Sequence, residues 1–253
     1  MLSQVVSIHY HFMKMQVEPV VLARNPLYRR WDDEDVIGSF FERRKHEPNI
    51  SHPTIPYLND LYVSLSPLGS GLTIKVANEV FFSRYKIRPE FEDRIAVLSD
   101  TLPKSVGVHF RGSDKNLEAA RVNWRYLTDS TDKVLDGGVL EHVFVASDEA
   151  DFVSHMTSRY GRRVITLEAK HLACGSTPAH FGSGDGREKG AEALDVILAL
   201  ARCGVCVRGA SHLSAWAKIL NPNLPVIVFG SPFSTRDTFP EDAIRAMALE
   251  THA

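Results

Sequence analysis

Residues 106 to 116 read VGVHFRGSDKN. The first five alternate as a strand does, and then Arg111, Asp114 and Lys115 crowd the turn that follows. His109 and Arg111 are two residues apart, so an extended backbone puts both on one face, at the carboxyl end of the strand. In open parallel sheets, ligands bind outside that end. A guanidinium there can grip a phosphate through two N–H groups, and Lys115 would add a point charge. Gly112 would let the backbone approach an anion closely. These residue types point to a phosphorylated ligand. Taken alone, the stretch also fits a solvated turn, with His109 a satisfied, half-buried residue.

Three other strand or helix positions bear on that choice. VFVASDE ends at Ser147 and Asp148, where the next helix begins, and VCVRGASHLSAW reaches Ser211 at a second strand-to-helix turn. Free backbone N–H groups and the helix dipole favour an anion at such turns. In EALDVIL, Asp195 interrupts an apolar helix face. Each has a plain structural reading as well. Asp148 and Ser211 fit N-caps, worth about 1 kcal/mol each, and Asp195 fits an exposed place near a helix start. FGSGDGREKG is rich in glycine, but no Gly-Lys-Ser/Thr follows and no strand directly precedes it. It therefore reads as a flexible loop that orders over a ligand and not as a P-loop.

The elements that must position these residues follow from periodicity. From Val106 onward, Val- and Ile-rich strands alternate with helices: VGVHF, HVFVAS, RVITLE, GVCVRG and PVIVF are the strands. That order predicts parallel βαβ units with right-handed crossovers and helices on both faces of the sheet. EDAIRAMALE reads as a closing helix. Before Val106 the pattern is weaker. Residues 2 to 16 carry apolar side chains at helical spacing, VEPVVLA reads as a short buried strand, and LTIKVANEVFFSRYKI fits either a strand or a helix. The acidic run from Asp32 to Asp35 suits the first turn of a helix ending at Arg43, Arg44 and Lys45. A boundary falls near Pro103, giving an N-terminal domain of residues 1–103 and a sheet-bearing domain of residues 104–253.

Bulk properties narrow the function classes. The chain has 253 residues and a net charge of −2, so no global field draws it to nucleic acid or an anionic membrane. No stretch approaches the roughly 18 consecutive apolar residues of a membrane span. Three cysteines, Cys174, Cys203 and Cys206, argue against a disulfide framework and for a reducing, cytoplasmic setting. Cys203-x-x-Cys206 has no second pair, so buried small hydrophobes are favoured over a zinc site.

With these residues assembled, the second half resembles the GDP-fucose-dependent fucosyltransferase superfamily, which includes core and nodulation α-1,6-fucosyltransferases and protein O-fucosyltransferases. A family strand ending His-x-Arg is matched by VGVHFRGSDKNLEAARV, and one ending Ala-Thr-Asp by VFVASDE. A helix of the type ALIDLLLLSRCD is matched by EALDVILALARCG, and a strand entering a Ser-rich turn by VCVRGASHLSAWA. The four occur in the family's order over roughly residues 104 to 229.

The resemblance implies a GT-B-like α/β architecture. Its C-terminal Rossmann-like parallel sheet would hold the GDP-sugar, and a smaller, reduced N-terminal α/β domain would face a glycan or peptide acceptor. It implies that Arg111 holds the donor phosphates, His109 and Asp195 contact guanine, Ser211 binds phosphate, and Asp114 and Asp148 lie by the donor. It further implies Glu118 as catalytic base and Lys115 as a charge on the leaving diphosphate, in an inverting transfer without metal or cofactor. Two departures stand out. Gly112 occupies the place of a second family Arg, which removes a phosphate contact. The family's first strand and Gly-rich loop have no counterpart before the first helix, so the sequence is incomplete, the acceptor domain is reduced, or activity is lost. The rival expectations are a non-catalytic nucleotide-sugar or glycan binder, and an α/β enzyme with another phosphorylated ligand.

Overall fold

The computed structural model describes residues 2–25, 27–32, 34–44, 72–112, 121–168, 184–209 and 211–229. The predicted closing helix, and Asp114, Lys115, Glu118 and Cys174, lie outside them.

Helix α1 spans Leu2–Lys14, with Val5, Val6 and Ile8 buried, as the spacing predicts. The strand predicted at VEPVVLA does not form: the segment pairs with no described strand, Val21 is buried, and Val17, Val20 and Leu22 face outward. In the acidic run, Asp35 caps a helix, α2 (Val36–Phe40), accepting from the Gly38 N–H at 3.0 Å. Asp35 also accepts from the Ala23 N–H at 2.9 Å and pairs with Arg43. The helix stops after five residues, and the chain runs into β1 (Phe41–Arg43) instead of continuing to Lys45. The ambiguous segment resolves into both of its readings, α3 (Ile74–Arg84) followed by β2 (Tyr85–Ile87), which pairs antiparallel with β1. Helix α4 (Pro89–Ala96) starts with proline in its first turn and buries Phe91 and Ile95.

The remaining elements run β3 (Ser105–Phe110), α5 (Trp124–Asp136), β4 (His142–Ser147), α6 (Ala150–Tyr160), β5 (Val164–Ile165), α7 (Gly186–Arg202), β6 (Val205–Gly209), α8 (His212–Leu220) and β7 (Val226–Phe229). The strands form one parallel sheet in the order β5-β4-β3-β6-β7. This is the Rossmann-like α/β arrangement expected from the alternating pattern. The chain moves outward from β3 to β4 and β5, then returns to the opposite side of β3 for β6 and β7. The switch point, where a parallel sheet opens a crevice, thus lies between β3 and β6.

Two apolar layers enclose the sheet. Val106, Val108, Phe110, Val145 and Val207 pack against Leu127 and Leu135 of α5 and Phe152 and Met156 of α6. The alternate residues, including Phe144, Ala146 and Cys206, join a larger core with Leu198, Leu200, Trp216 and Ile219 of α7 and α8. That core continues into the N-terminal elements through Val6, Phe40, Phe81 and Phe91. Polar contacts pin the same boundary. Trp216 Nε1 donates to Ser3 Oγ at 2.8 Å, Asn78 Nδ2 donates to the Ile219 carbonyl at 2.7 Å, and Glu92 pairs with Arg202.

Candidate functional site

Strand alternation decides what reaches the switch point. Val106, Val108 and Phe110 face α5 and α6, so Gly107 and His109 face α7 and α8, and Arg111 follows directly on the end of β3. His109 is 5% exposed and Arg111 half-buried. On the neighbouring strand, Val207 faces α5 and α6 while Cys206 lies in the opposite core, so alternation puts Arg208 on the Cys206 face, and the register pairs it directly with His109, on strands about 4.8 Å apart. His109 and Arg208 therefore sit side by side at the carboxyl end of the sheet, across the switch point, with Arg111 in the turn that leaves β3. Arg208 was not among the residues expected from the sequence. Its signal was available: a lone Arg in the apolar run VCVRG, at an even distance from Cys206.

The turns that leave β3 and β4 are tied together. Asp148 does not cap α6. Glu149 takes that position, and Asp148 Oδ1 accepts from the Gly112 N–H at 3.0 Å. Ser147 Oγ accepts from the Glu149 N–H at 3.0 Å. Glu149 holds Arg121 through two bonds of 2.8 and 2.6 Å, and Arg121 lies over the Phe110 ring at 5.3 Å. This frame explains the glycine at 112: a Cβ there would lie 1.8 Å from Glu149 Oε1 and 2.8 Å from the Phe110 ring. A larger residue has no room while Glu149 keeps its pair with Arg121.

Ser211 occupies the N-cap position of α8, yet its hydroxyl makes no capping bond. It is 1% exposed and has no hydrogen-bond partner among the described residues. Asp195 is not exposed near a helix start. It sits in the middle of α7, where burial raises its pKa, and its Oδ2 meets Arg94 of α4 at 3.2 Å. Arg202, two turns on, pairs with Glu92 of the same helix α4. Asp195 thus lies in the α4–α7 seam. His109, Arg111, Asp148 and Ser211 lie at the carboxyl ends of β3, β4 and β6.

Cys203 and Cys206 are free and buried, and burial raises the pKa of both thiols, that of Cys206 to about 11. Both are protonated core residues at neutral pH. Among the described residues, no group of three or more His, Cys, Asp or Glu could hold a metal ion. No described helix is long and apolar enough to cross a membrane.

No family model and no curated protein matches the sequence. Solved structures match in fold. NodZ alpha-1,6-fucosyltransferase soaked with GDP-fucose aligns with a TM-score of 0.61 over 90% of this chain and 90% of that one, at 17% identity. The same enzyme co-crystallised with GDP gives 0.60 at 16% identity, over 90% of each chain. Fucosyltransferase NodZ from Bradyrhizobium gives 0.59 at 16%, again over 90% of each. The chain has the GT-B-like fold of these fucosyltransferases, and at this identity the likeness is one of fold.

Proposed function

We propose that this chain is a cytoplasmic, inverting glycosyltransferase that moves a sugar, fucose, from a GDP-sugar to a glycan or peptide hydroxyl. One observation carries the reading: basic side chains flank the switch point of a sheet whose fold is shared with NodZ, crystallised with GDP and soaked with GDP-fucose. Residues 104–253 take the donor and residues 1–103 face the acceptor. Arg111 grips the diphosphate, His109 and Asp195 contact the guanine, and Asp114, Asp148 and Ser211 complete the donor site.

In the transfer, Glu118 takes the proton of the acceptor hydroxyl as its oxygen attacks the anomeric carbon. The bond from that carbon to the diphosphate oxygen breaks, and GDP leaves with the electron pair. Arg111, Lys115 and the helix-terminus N–H groups stabilise the departing charge, so no divalent metal takes part.

The test is incubation with GDP-fucose, GDP-mannose and UDP-sugars in parallel, reading nucleotide release and transfer to glycan and peptide acceptors. GDP-fucose is expected to be consumed, with a rate unchanged by EDTA. Glu118→Ala keeps GDP binding and loses transfer. Wild-type protein that binds GDP or glycan but never consumes a GDP-sugar would be a binding protein instead. Protein that binds no guanine nucleotide would end the proposal.

A further inference from the structure

Arg208 brings a full positive charge into the fold, and no described acidic side chain pairs with it. It is 9% exposed. Its Nη1 donates to the carbonyl of the next residue, Gly209, at 3.3 Å, and its Nε has no partner among the described residues. Other arginines drawn toward the core behave differently. Arg43 pairs with Asp35, Arg84 with Glu18 and Arg202 with Glu92. Burial lowers the pKa of Arg208, opposed by the Cys206 thiol, yet a guanidinium starts too high to lose its proton near neutrality. A charge left in this state opposes folding, and proteins ordinarily pair it.

Three residues further on, the Ser211 hydroxyl is also buried and without a described partner. It stands at the start of α8, a helix of nine residues whose first N–H groups point back along the axis. Two orphaned donors therefore bracket the carboxyl end of β6, beside the switch point and next to His109. A neutral sugar or a base would leave the guanidinium charge unanswered. A group with several anionic oxygens answers it and the hydroxyl together.

We propose that Arg208 is the buried counter-cation of the ligand's diphosphate, with the Ser211 hydroxyl and the first turn of α8 donating to the same group. Arg208 does from β6 what a second cation after Arg111 would do from β3, where Glu149 leaves no room for a side chain at 112. Binding of the ligand relieves the charge, so stability and affinity are linked through one residue. The identity of the ligand as a guanosine diphosphate rests on the function proposed above; the anionic character of the site does not.

Thermal melting and titration calorimetry of the full chain test this, with inorganic pyrophosphate, GDP and guanosine as probes. Pyrophosphate and GDP are expected to raise the melting temperature of the wild type, and guanosine to do so far less. Arg208→Met is expected to melt about 3 °C or more above the wild type without ligand. It should bind pyrophosphate and GDP on the order of 100-fold more weakly. Equal affinities in wild type and variant would overturn the role of Arg208 and leave the glycosyltransferase reading standing. Pyrophosphate binding that depends on Arg208, with no binding of GDP, would support the anion site and sink the GDP-sugar reading. If Arg208→Met fails to fold, Arg208→Lys decides: weaker pyrophosphate binding supports the proposal, and unchanged binding overturns it.

Discussion

The two faces of the parallel sheet are built from the same strands and end differently. Toward α5 and α6, Val106, Val108, Val145 and Val207 form an apolar row, and Phe110 closes it against Trp124 and Phe152, with ring centroids 5.9 and 4.8 Å away. At the carboxyl end of the sheet, across the switch point, the strands finish instead with His109, Arg111 and Arg208. The first region is complete without a ligand. The second puts charged and polar side chains where the first has apolar packing. Its position at the switch point, and not its composition alone, is the ground for proposing it as the working region. The layer behind it is likewise mixed: His9, 3% exposed, bonds Tyr85 through Nε2 at 2.8 Å.

Substitutions can widen or erase this contrast. The largest effect belongs to the apolar face. Phe152→Ala removes a fully buried ring and is expected to cost about 3–5 kcal/mol of unfolding free energy in urea, while GDP affinity in the folded fraction holds. A parallel loss of affinity would mean that the two regions are not separable.

The next effect is acid sensitivity on the mixed side. Burial, with Arg84 and Arg43 nearby and Glu18 opposing, lowers the His9 pKa to about 4 from 6.5. A folded pKa below the unfolded one means that the unfolded chain binds the proton first. The contribution is complete above pH 6.5 and is lost as pH falls toward 4, by about 3 kcal/mol in all. Urea midpoints at pH 7.5 and 4.5 measure it, and His9→Gln should flatten the difference. Identical pH profiles for the two proteins would remove His9 from the account.

The smallest effect is expected at the turn. Asp148→Ala leaves the Gly112 N–H without its acceptor and should lower stability by about 1–2 kcal/mol. GDP binding should weaken as well, because the β3 turn loses its tie to β4. A fall in stability with affinity intact would make Asp148 a structural residue only.

The sequence was most legible where both sheet faces are covered. Strands such as HVFVAS and PVIVF are short apolar runs between turn residues, and helix and strand periods separate cleanly there. It was least legible where tertiary contact decides. FGSGDGREKG reads as a loop, yet α7 starts at Gly186, because Asp185 caps it and two glycines serve packing. A Cβ at 186 would lie 2.5 Å from the Arg29 carbonyl, and one at 190 would lie 2.5 Å from the Phe40 ring. VEPVVLA has strand composition but no described partner strand. Arg208 was hidden in plain view, since a charge in an apolar strand acquires meaning only once register sets it beside His109. The roles of Asp148 and Ser211 turned on details below sequence resolution: which of two adjacent residues caps α6, and whether a serine at a cap position makes its bond.

The contacts between the chain's first elements and α7 and α8 also bear on how the protein is made. Ser3 and Trp216 are 213 positions apart, and Arg30 and Asp185 are separated by 155. At a ribosomal pace of about 5–20 residues per second, α1 meets α3 first, and Ser3 waits about 10–40 s for Trp216. Until then the side of α1 that Trp216 will cover lacks its native partner, and chaperone capture during translation should centre there.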